Sequence, residues 1–432
     1  MGASSAASFK QSLWYETAQE PAILGTSFPG SMDVDVAIVG GGFAGCSAAL
    51  TLAESGASVA LFESQEIGFG ASGRNGGQVI PGAKYDPSEL IAKFGQERGD
   101  AIANAVGGAP DLVFDLITRH DICCSPKRAG WIQAAHAPMA LKRVLQRAEE
   151  WRQRGVDVEV LDAATLAKRT GVHGYCGGWR DPRAGTIQPL SFVRGLARAA
   201  IAAGAQIFPQ SPVRSMKQEE GRWLLTLPQG EVRARAVVVG TDAYSDDRLV
   251  PGLSRSLLLV QSIQLATEVL PDELAKRILP GGECISETRR LAFYFRRSPD
   301  GRLVFGGRGA VGDALRPNLF DSLLGAMKRM IPELADIKIT HRWSGQVGLT
   351  LDGLPPIHEP APGLFVGGGY NGRGIALATL MGQWLAYRAH AGTPPPLERT
   401  KLAPIPWHAA RKPIIAAGIA WAWTQDRMGF GS

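Results

Sequence analysis

Four glycines in the run Gly40-Gly41-Gly42-Phe43-Ala44-Gly45 stand between a short apolar strand, Asp35 to Val39, and a helical pattern carried by Ala48, Ala49, Leu50, Leu52 and Ala53. That spacing suits phosphate binding. Gly40 permits a tight turn, Gly42 lets the backbone approach a pyrophosphate, and Gly45 lets helix and strand pack closely. Phe43 and Ala44 open the helix, whose first N–H groups and positive dipole end face the phosphates. The next apolar run, Ser58 to Phe62, ends on Glu63 with Ser64 beside it, 18 residues after Gly45. A carboxylate there accepts hydrogen bonds from a ribose diol and repels a 2′-phosphate, which argues against NADP. Glycine is plentiful, at 53 of 432 residues, so an ordinary glycine-rich turn is the competing reading. The strand–turn–helix–strand–acid order is what favours a dinucleotide.

The elements that would position this turn recur along the chain. Residues 1–33 read as an irregular leader with Trp14 and Tyr15, followed by the first βαβ unit over 34–63. A loop over Gly68 to Gln78 is too glycine-rich to be the interior of a strand or helix. Helical periodicity is predicted over 86–122, 138–154 and 188–204. Period two takes over in 206–240, where Leu224 to Leu227, a Pro-Gln-Gly turn and Val232 to Val239 predict a hairpin that feeds a buried strand, Ala236 to Val239. Further strands are predicted at 257–268, 291–296, 302–306 and 337–349. Gly363 to Gly369 repeats the strand-to-glycine turn and leads into a helix from about Gly374 to His390. Pieces of one βαβ-type unit thus lie early, near 236 and near 364, with a β-rich insertion between them.

Length favours two closely packed domains, and a composition of 45% hydrophobic and 20% charged residues is that of a soluble globular protein. Basic residues exceed acidic ones by 46 to 40 without forming a block, which speaks against a nucleic-acid partner. Five cysteines, Cys46, Cys123, Cys124, Cys176 and Cys284, lack C-x-x-C spacing. Neither a disulfide framework nor a metal site is expected, and a reducing cytoplasm fits. No secretory signal is read in the Ala/Ser-rich first residues. The most apolar stretch, Pro413 to Trp423, is too short to span a bilayer. Flanked by Arg411, Lys412 and Arg427, it has two uses open to it: peripheral contact with a membrane, or packing on its own domain or a partner. Intramolecular packing is the favoured expectation.

Three segments together resemble the D-amino-acid-oxidase-like flavoprotein superfamily: Val36 to Glu63, Gly70-Ala71-Ser72-Gly73-Arg74-Asn75-Gly76-Gly77-Gln78, and Gly367-Gly368-Gly369-Tyr370-Asn371-Gly372-Arg373-Gly374. The 71–78 run and the tail from Trp421 to Phe430 look most like the γ-glutamylputrescine oxidase branch. The resemblance implies an α/β fold in which a Rossmann-like FAD-binding domain is interleaved with a mixed β-sheet substrate domain, of the glutathione-reductase-2/D-amino-acid-oxidase type. Segments 1–85, 151–245 and 341–395 are expected in the FAD-binding domain. Segment 86–150 is expected as a helical part of the substrate domain, 246–340 as its sheet, and 396–432 as a C-terminal tail.

On the same resemblance FAD binds extended. Gly40, Gly42 and Gly45 serve the pyrophosphate and Glu63 the adenosine ribose. Ser72, Gly73, Arg74 and Asn75 wrap the pyrophosphate and ribityl chain, while Gly76, Gly77 and Gln78 pass the isoalloxazine. Val213 meets the adenine, Thr241 and Asp242 form a second flavin-side loop, and Gly345 lies in a stretch that runs toward the flavin. Gly369, Tyr370, Asn371, Gly372, Arg373 and Gly374 present N–H groups and a helix N-terminus to the flavin N1–C2=O edge, which favours the anionic reduced state. Relatives that tether FAD do so through a cysteine or histidine; Trp343 to Gln346 and Ser72 to Asn75 contain neither, so non-covalent FAD is expected.

The reaction implied is transfer of a hydride from a C–H beside an amine to flavin N5, followed by hydrolysis of the imine. An amine with pKa near 10 must be neutral to react, which an apolar aromatic pocket promotes. No protein acid or base is required, and no catalytic dyad is found. Substrate candidates are Trp131, Tyr294, Arg308, Trp343, Tyr370 and Arg373, with Arg308 and Arg373 able to meet a carboxylate. Two departures from the sarcosine-oxidase pattern stand out. Val79-Ile80-Pro81 is apolar where relatives carry a basic carboxylate ligand, and Gly301 to Gly309 has arginines but no lysine to activate oxygen. A γ-glutamylated polyamine or similar amine is therefore the leading substrate, with O2 or another electron acceptor. A cyclic or N-methyl amino acid such as pipecolate, proline or sarcosine is the alternative. Readings of other kinds are a flavin electron-transfer subunit docked through its apolar tail, and an NAD-dependent dehydrogenase, which needs neither of the two later glycine segments.

Overall fold

Apolar runs that end in glycine or an acid build the first sheet. In the computed structural model of the chain, which describes residues 3–25, 28–309, 317–397 and 401–429, Ser31–Val39 pairs in parallel with Val59–Phe62 on one side and Gly230–Val239 on the other. Gln206–Phe208 and Leu364–Gly367 extend the sheet outward in parallel. Ile357–Ala361 and the hairpin Ser215–Glu219 with Arg222–Leu227 complete eight strands among the described residues. The central strand is apolar on consecutive residues because both its faces are covered. Val36 and Ile38 pack under the helices Phe43–Glu54, Pro189–Ala202 and Gly374–Ala391, while Val34, Ala37 and Val39 pack with Trp223, Leu225 and Val232.

The second sheet runs in the order Ile339–Leu349, Leu258–Val269, Arg302–Arg308, Tyr294–Arg297, Cys284–Glu287, Trp131–Ala135, Gly177–Asp181, Glu159–Asp162. It is antiparallel except where Trp131–Ala135 meets Cys284–Glu287. Ile263, Leu265, Phe295 and Phe305 bury one face against the helix Pro317–Met330. The opposite face, carrying Trp131, Ser262 and Tyr294, turns toward the carboxyl ends of the first sheet.

Sheet membership cuts across three of the segments drawn from the sequence. Segment 151–245 gives Glu159–Asp162 and Gly177–Asp181 to the second sheet and Gly230–Val239 to the first. Segment 341–395 likewise divides between Ile339–Leu349 and Leu364–Gly367. The helix Gln96–Arg119 of segment 86–150 packs Ile102, Val106 and Val113 into the core of the first sheet. Periodicity identifies a strand or helix but not the face that will cover it, which is why these boundaries move. The helical stretch expected over 86–122 also breaks in two at Gly95, whose φ of +83° no continuous helix accommodates.

The leader is not irregular. Helices Ala3–Lys10 and Leu13–Glu16 are separated by Ser12, whose hydroxyl accepts the Tyr15 N–H at 3.2 Å. Phe9, Leu13 and Trp14 are fully buried. Their burial, rather than local propensity, decides the structure there. The tail forms the helix Arg411–Arg427, yet Ile414, Trp421 and Trp423 stay exposed and only Ala422 is buried. The expected burial of the apolar stretch is thus not found. Its hold on the body is Asp426, which accepts the Arg290 N–H at 2.8 Å and the Leu291 N–H at 3.1 Å. Residues 1–2, 26–27 and Phe430, which belong to the leader and tail stretches, lie outside the described residues. Among the described residues no helix is long and apolar enough to cross a membrane.

Candidate active site

Val39, Phe62 and Val239, the last residues of three parallel strands, open onto one cavity of about 1100 Å³. Ligands of open α/β sheets bind at this edge. Gly40 turns the chain with φ of +108°, and a Cβ on Gly45 would sit 1.9 Å from the Gly40 carbonyl oxygen. Only glycine lets the helix start so close to the strand. Ser72 Oγ accepts the Phe43 N–H at 3.0 Å, and a Cβ on Gly42 would lie 2.9 Å from that oxygen. Glu63 is held by the Gly41 and Gln65 N–H groups, both at 2.8 Å. Burial pushes its carboxyl up and these donors pull it back.

The loop over 70–78 is fastened to the second sheet. Ala71–Gly73 forms one 3-10 turn, after which Arg74 is buried, its guanidinium 4.6 Å from the Phe69 ring and 5.3 Å from Phe9. Burial lowers its pKa. The Arg74 carbonyl accepts from Trp343 Nε1 at 2.9 Å and Gln264 Nε2 at 2.5 Å. Asn75 Oδ1 takes the Gly77 N–H at 2.8 Å, and the Asn75 carbonyl takes the Trp14 indole N–H at 2.7 Å. Arg296 donates to the Gly77 carbonyl at 2.7 Å and to the Ile187 carbonyl at 2.6 Å; burial pulls it down to about 10. Gln78 Nε2 reaches the Ile285 carbonyl at 3.1 Å and the Phe295 carbonyl at 3.2 Å.

The third glycine segment is bolted through Asp242, whose Oδ1 accepts the Gly369 N–H at 2.6 Å. A Cβ on Gly348 or Gly368 would come within 2.8 or 2.9 Å of that oxygen. Burial pushes Asp242 up to about 6. Asn371, at φ of +54°, accepts the Thr350 N–H at 3.0 Å. Tyr370 is buried, which raises its pKa, with the Asp242 charge adding to the shift. The helix Gly374–Ala391 then starts at the cavity.

Side chains of the second sheet and of residues 80–84 close the far wall. Trp131 donates to Ser286 Oγ at 2.7 Å and lies 5.5 Å from the Arg373 guanidinium, which also donates to the Pro81 carbonyl. Burial pulls Arg373 down to about 10. Tyr294 shares a hydrogen bond with Ser262 and is pushed up to about 12 by burial. Lys84 and Arg308 both line the cavity. Both side chains are exposed to the open cavity; desolvation by the surrounding walls, then the charges of Arg373, Arg308 and Arg147, pull Lys84 down to about 8. Behind them Arg147 and Asp86 form a buried ion pair, with Gln133 Oε1 accepting from Arg147 at 2.8 Å.

Most of the residues singled out in the sequence meet in this one space: Gly40, Gly42, Phe43, Ala44, Glu63, Ser64, Ser72, Arg74, Asn75, Gly76, Gln78, Val213, Thr241, Asp242, Gly345, Tyr370 to Gly374, Trp131, Tyr294 and Arg308. Five do not line it. Gly45, Gly73, Gly77 and Gly369 shape the backbone from behind. Trp343 is fully buried and bonded to Arg74, 5.9 Å from the ring of Trp14; it is a positioning residue, not a substrate contact. Lys84, Arg296 and Gln264 were missed. The apolar Val79-Ile80-Pro81 drew attention away from a lysine only three residues on, and nothing in the sequence signals the other two.

The chain matches the family described as FAD dependent oxidoreductase over residues 35–388. It is 30% identical to gamma-glutamylputrescine oxidoreductase of Escherichia coli, covering 92% of this chain and 94% of that protein. It is 31% identical to the probable oxidoreductase OrdL of Rhizobium meliloti, with 96% and 97% covered. The solved glycine oxidase of Geobacillus kaustophilus superposes with a TM-score of 0.70 at 23% identity, covering 83% of this chain and 95% of that one.

Proposed function

The chain belongs to the FAD-dependent oxidoreductase family and acts on amines or amino acids, and from that premise we propose that it oxidises a C–N bond of a γ-glutamylputrescine-like amine. The carrying observation is one cavity that joins a glycine cradle at the carboxyl ends of a parallel sheet to an aromatic and cationic wall from a second sheet. The residues present fit FAD: Gly40, Gly41 and Gly42 line the cavity with backbone alone, and Glu63 keeps carboxylate lone pairs at the end proposed for the adenosine. Bound FAD supplies the acceptor for the hydride that leaves the carbon beside the amine. No cysteine or histidine occurs among the described residues lining the cavity, which supports non-covalent binding.

The first sheet is assigned to the cofactor and the second to the substrate. Phe43, Ala44 and Ser72 would meet the pyrophosphate and Glu63 the ribose. Asp242 fixes the Gly369 turn, behind which the helix Gly374–Ala391 opens at the cavity, where its N-terminal N–H groups would meet the flavin. Trp131, Tyr294 and Tyr370 exclude water and disfavour a charged ammonium. Arg373 adds like-charge repulsion, which would lower the pKa of a substrate ammonium further and favour the neutral amine. The amine carbon loses its hydrogen as hydride, the nitrogen lone pair forms the C=N bond, and water hydrolyses the resulting iminium to aldehyde and ammonium.

Anaerobic mixing of the yellow holoenzyme with γ-glutamylputrescine should bleach the flavin within seconds. Faster bleaching by proline, pipecolate or sarcosine would replace the reading with amino-acid oxidation. Oxygen uptake during turnover then separates an oxidase from a dehydrogenase, and complete release of the chromophore on acid precipitation checks non-covalent binding.

A further inference from the structure

Resting on that reading, we propose that Lys84 and Arg308 form an anion clamp that binds the carboxylate of the glutamyl part of the substrate and thereby decides which amines are accepted. The two side chains come from distant segments, one just beyond the 70–78 loop and one at the end of the strand Arg302–Arg308, and both line the same cavity. Neither makes a hydrogen bond, ion pair or ring contact with any described residue.

The charges acting on Lys84 are those of Arg373, Arg308 and Arg147, with no carboxylate among them. Arg147 is neutralised by Asp86. Arg373 is committed to the Pro81 carbonyl and the Trp131 face. Asp426 and Tyr294 act on Arg308 only at a distance, without a hydrogen bond to it among the described residues. Two like charges thus face one cavity, with nothing of opposite sign bound to either among the described residues. A carboxylate relieves that repulsion, and its two oxygens can serve one ammonium and one guanidinium at once.

The test uses flavin-loaded Lys84→Met and Arg308→Met variants with γ-glutamylputrescine and with its analogue in which hydrogen replaces the α-carboxylate. Each variant should raise KM for the carboxylate substrate by roughly tenfold to a hundredfold. The kcat should stay within about threefold, and KM for the analogue should not move. Equal changes for both compounds, or none, would overturn the clamp. Lys84→Arg keeps the charge and should recover most of the affinity; if it behaves as Lys84→Met does, the site reads shape and the clamp falls. Glutarate, titrated against the visible spectrum of the oxidised holoenzyme, needs no turnover. Glutarate binding that weakens in both Met variants while no amine bleaches the flavin would sink the functional reading and keep the clamp. Normal turnover of γ-glutamylputrescine by both variants would do the reverse.

Discussion

The two ends of the cavity are built by different means. At the end proposed for the nucleotide the cavity wall is backbone, drawn from the consecutive residues Gly40 to Ala44 and backed by Gly45 and the N–H groups that hold Glu63. At the end proposed for the substrate it is side chains drawn from distant segments: Lys84, Trp131, Tyr294, Arg308 and Arg373. A backbone site needs glycine wherever a Cβ would collide, so its sequence is constrained residue by residue. A side-chain site needs only that the fold bring the right groups together. The first should therefore fail abruptly on a single methyl, and the second by degrees.

Gly45→Val is the severest test of that contrast. Its Cβ would meet the Gly40 carbonyl oxygen at 1.9 Å. The expected cost is about 3 kcal/mol or more, with the purified protein colourless; a yellow variant with an unchanged Tm would break the comparison at its root. Next comes Asp86→Ala, which leaves the Arg147 guanidinium buried and unpaired. Urea unfolding should show a loss of about 3–5 kcal/mol, largely restored by Asp86→Leu combined with Arg147→Met, while flavin content in native buffer stays near one per chain.

A smaller effect is expected of Trp343→Phe, which removes one hydrogen bond to the Arg74 carbonyl. Stability should fall by about 1 kcal/mol and substrate KM should stay put; a large KM rise would return Trp343 to the substrate wall. The smallest effect is a pH dependence at Asp242. Its folded pKa of about 6 lies above the ordinary 3.8, so between those values the folded state holds a proton that the unfolded state has lost. Stability contributed by Asp242 therefore falls as pH rises through that window. Asp242→Asn does not titrate. The stability of wild type relative to this variant should decline from pH 4 to pH 6.5 in parallel denaturation curves, and a difference that is flat or rises would show that Asp242 is ionised throughout.

How much of this was legible follows from the same physics. The βαβ unit, the hairpin at Arg222–Leu227 and the helix Gly374–Ala391 follow from local periodicity and turn residues, and the cofactor follows from three glycine segments that each announce themselves. The leader misled because Phe9 and Trp14 are ordered by what they pack on, not by their neighbours in sequence. Arg296 and Gln264 carry no signal at all: an arginine that donates to Gly77 from 219 positions away looks like any surface arginine until the chain is folded. Trp343 looked like a pocket aromatic for the converse reason, since residue type does not say which face of a strand is covered.

The sequence by itself pointed to a dinucleotide through the first glycine turn and, through the family resemblance that the second and third glycine segments carry, to FAD. Those demands are local, because a close approach of backbone to phosphate or carbonyl excludes every residue but glycine. Tertiary structure alone decided which side chains line the cavity. It moved Trp343 behind the wall and set Lys84 and Arg308 around the same cavity. The reason is that two like charges from distant segments can share a ligand only where folding has set both around one cavity.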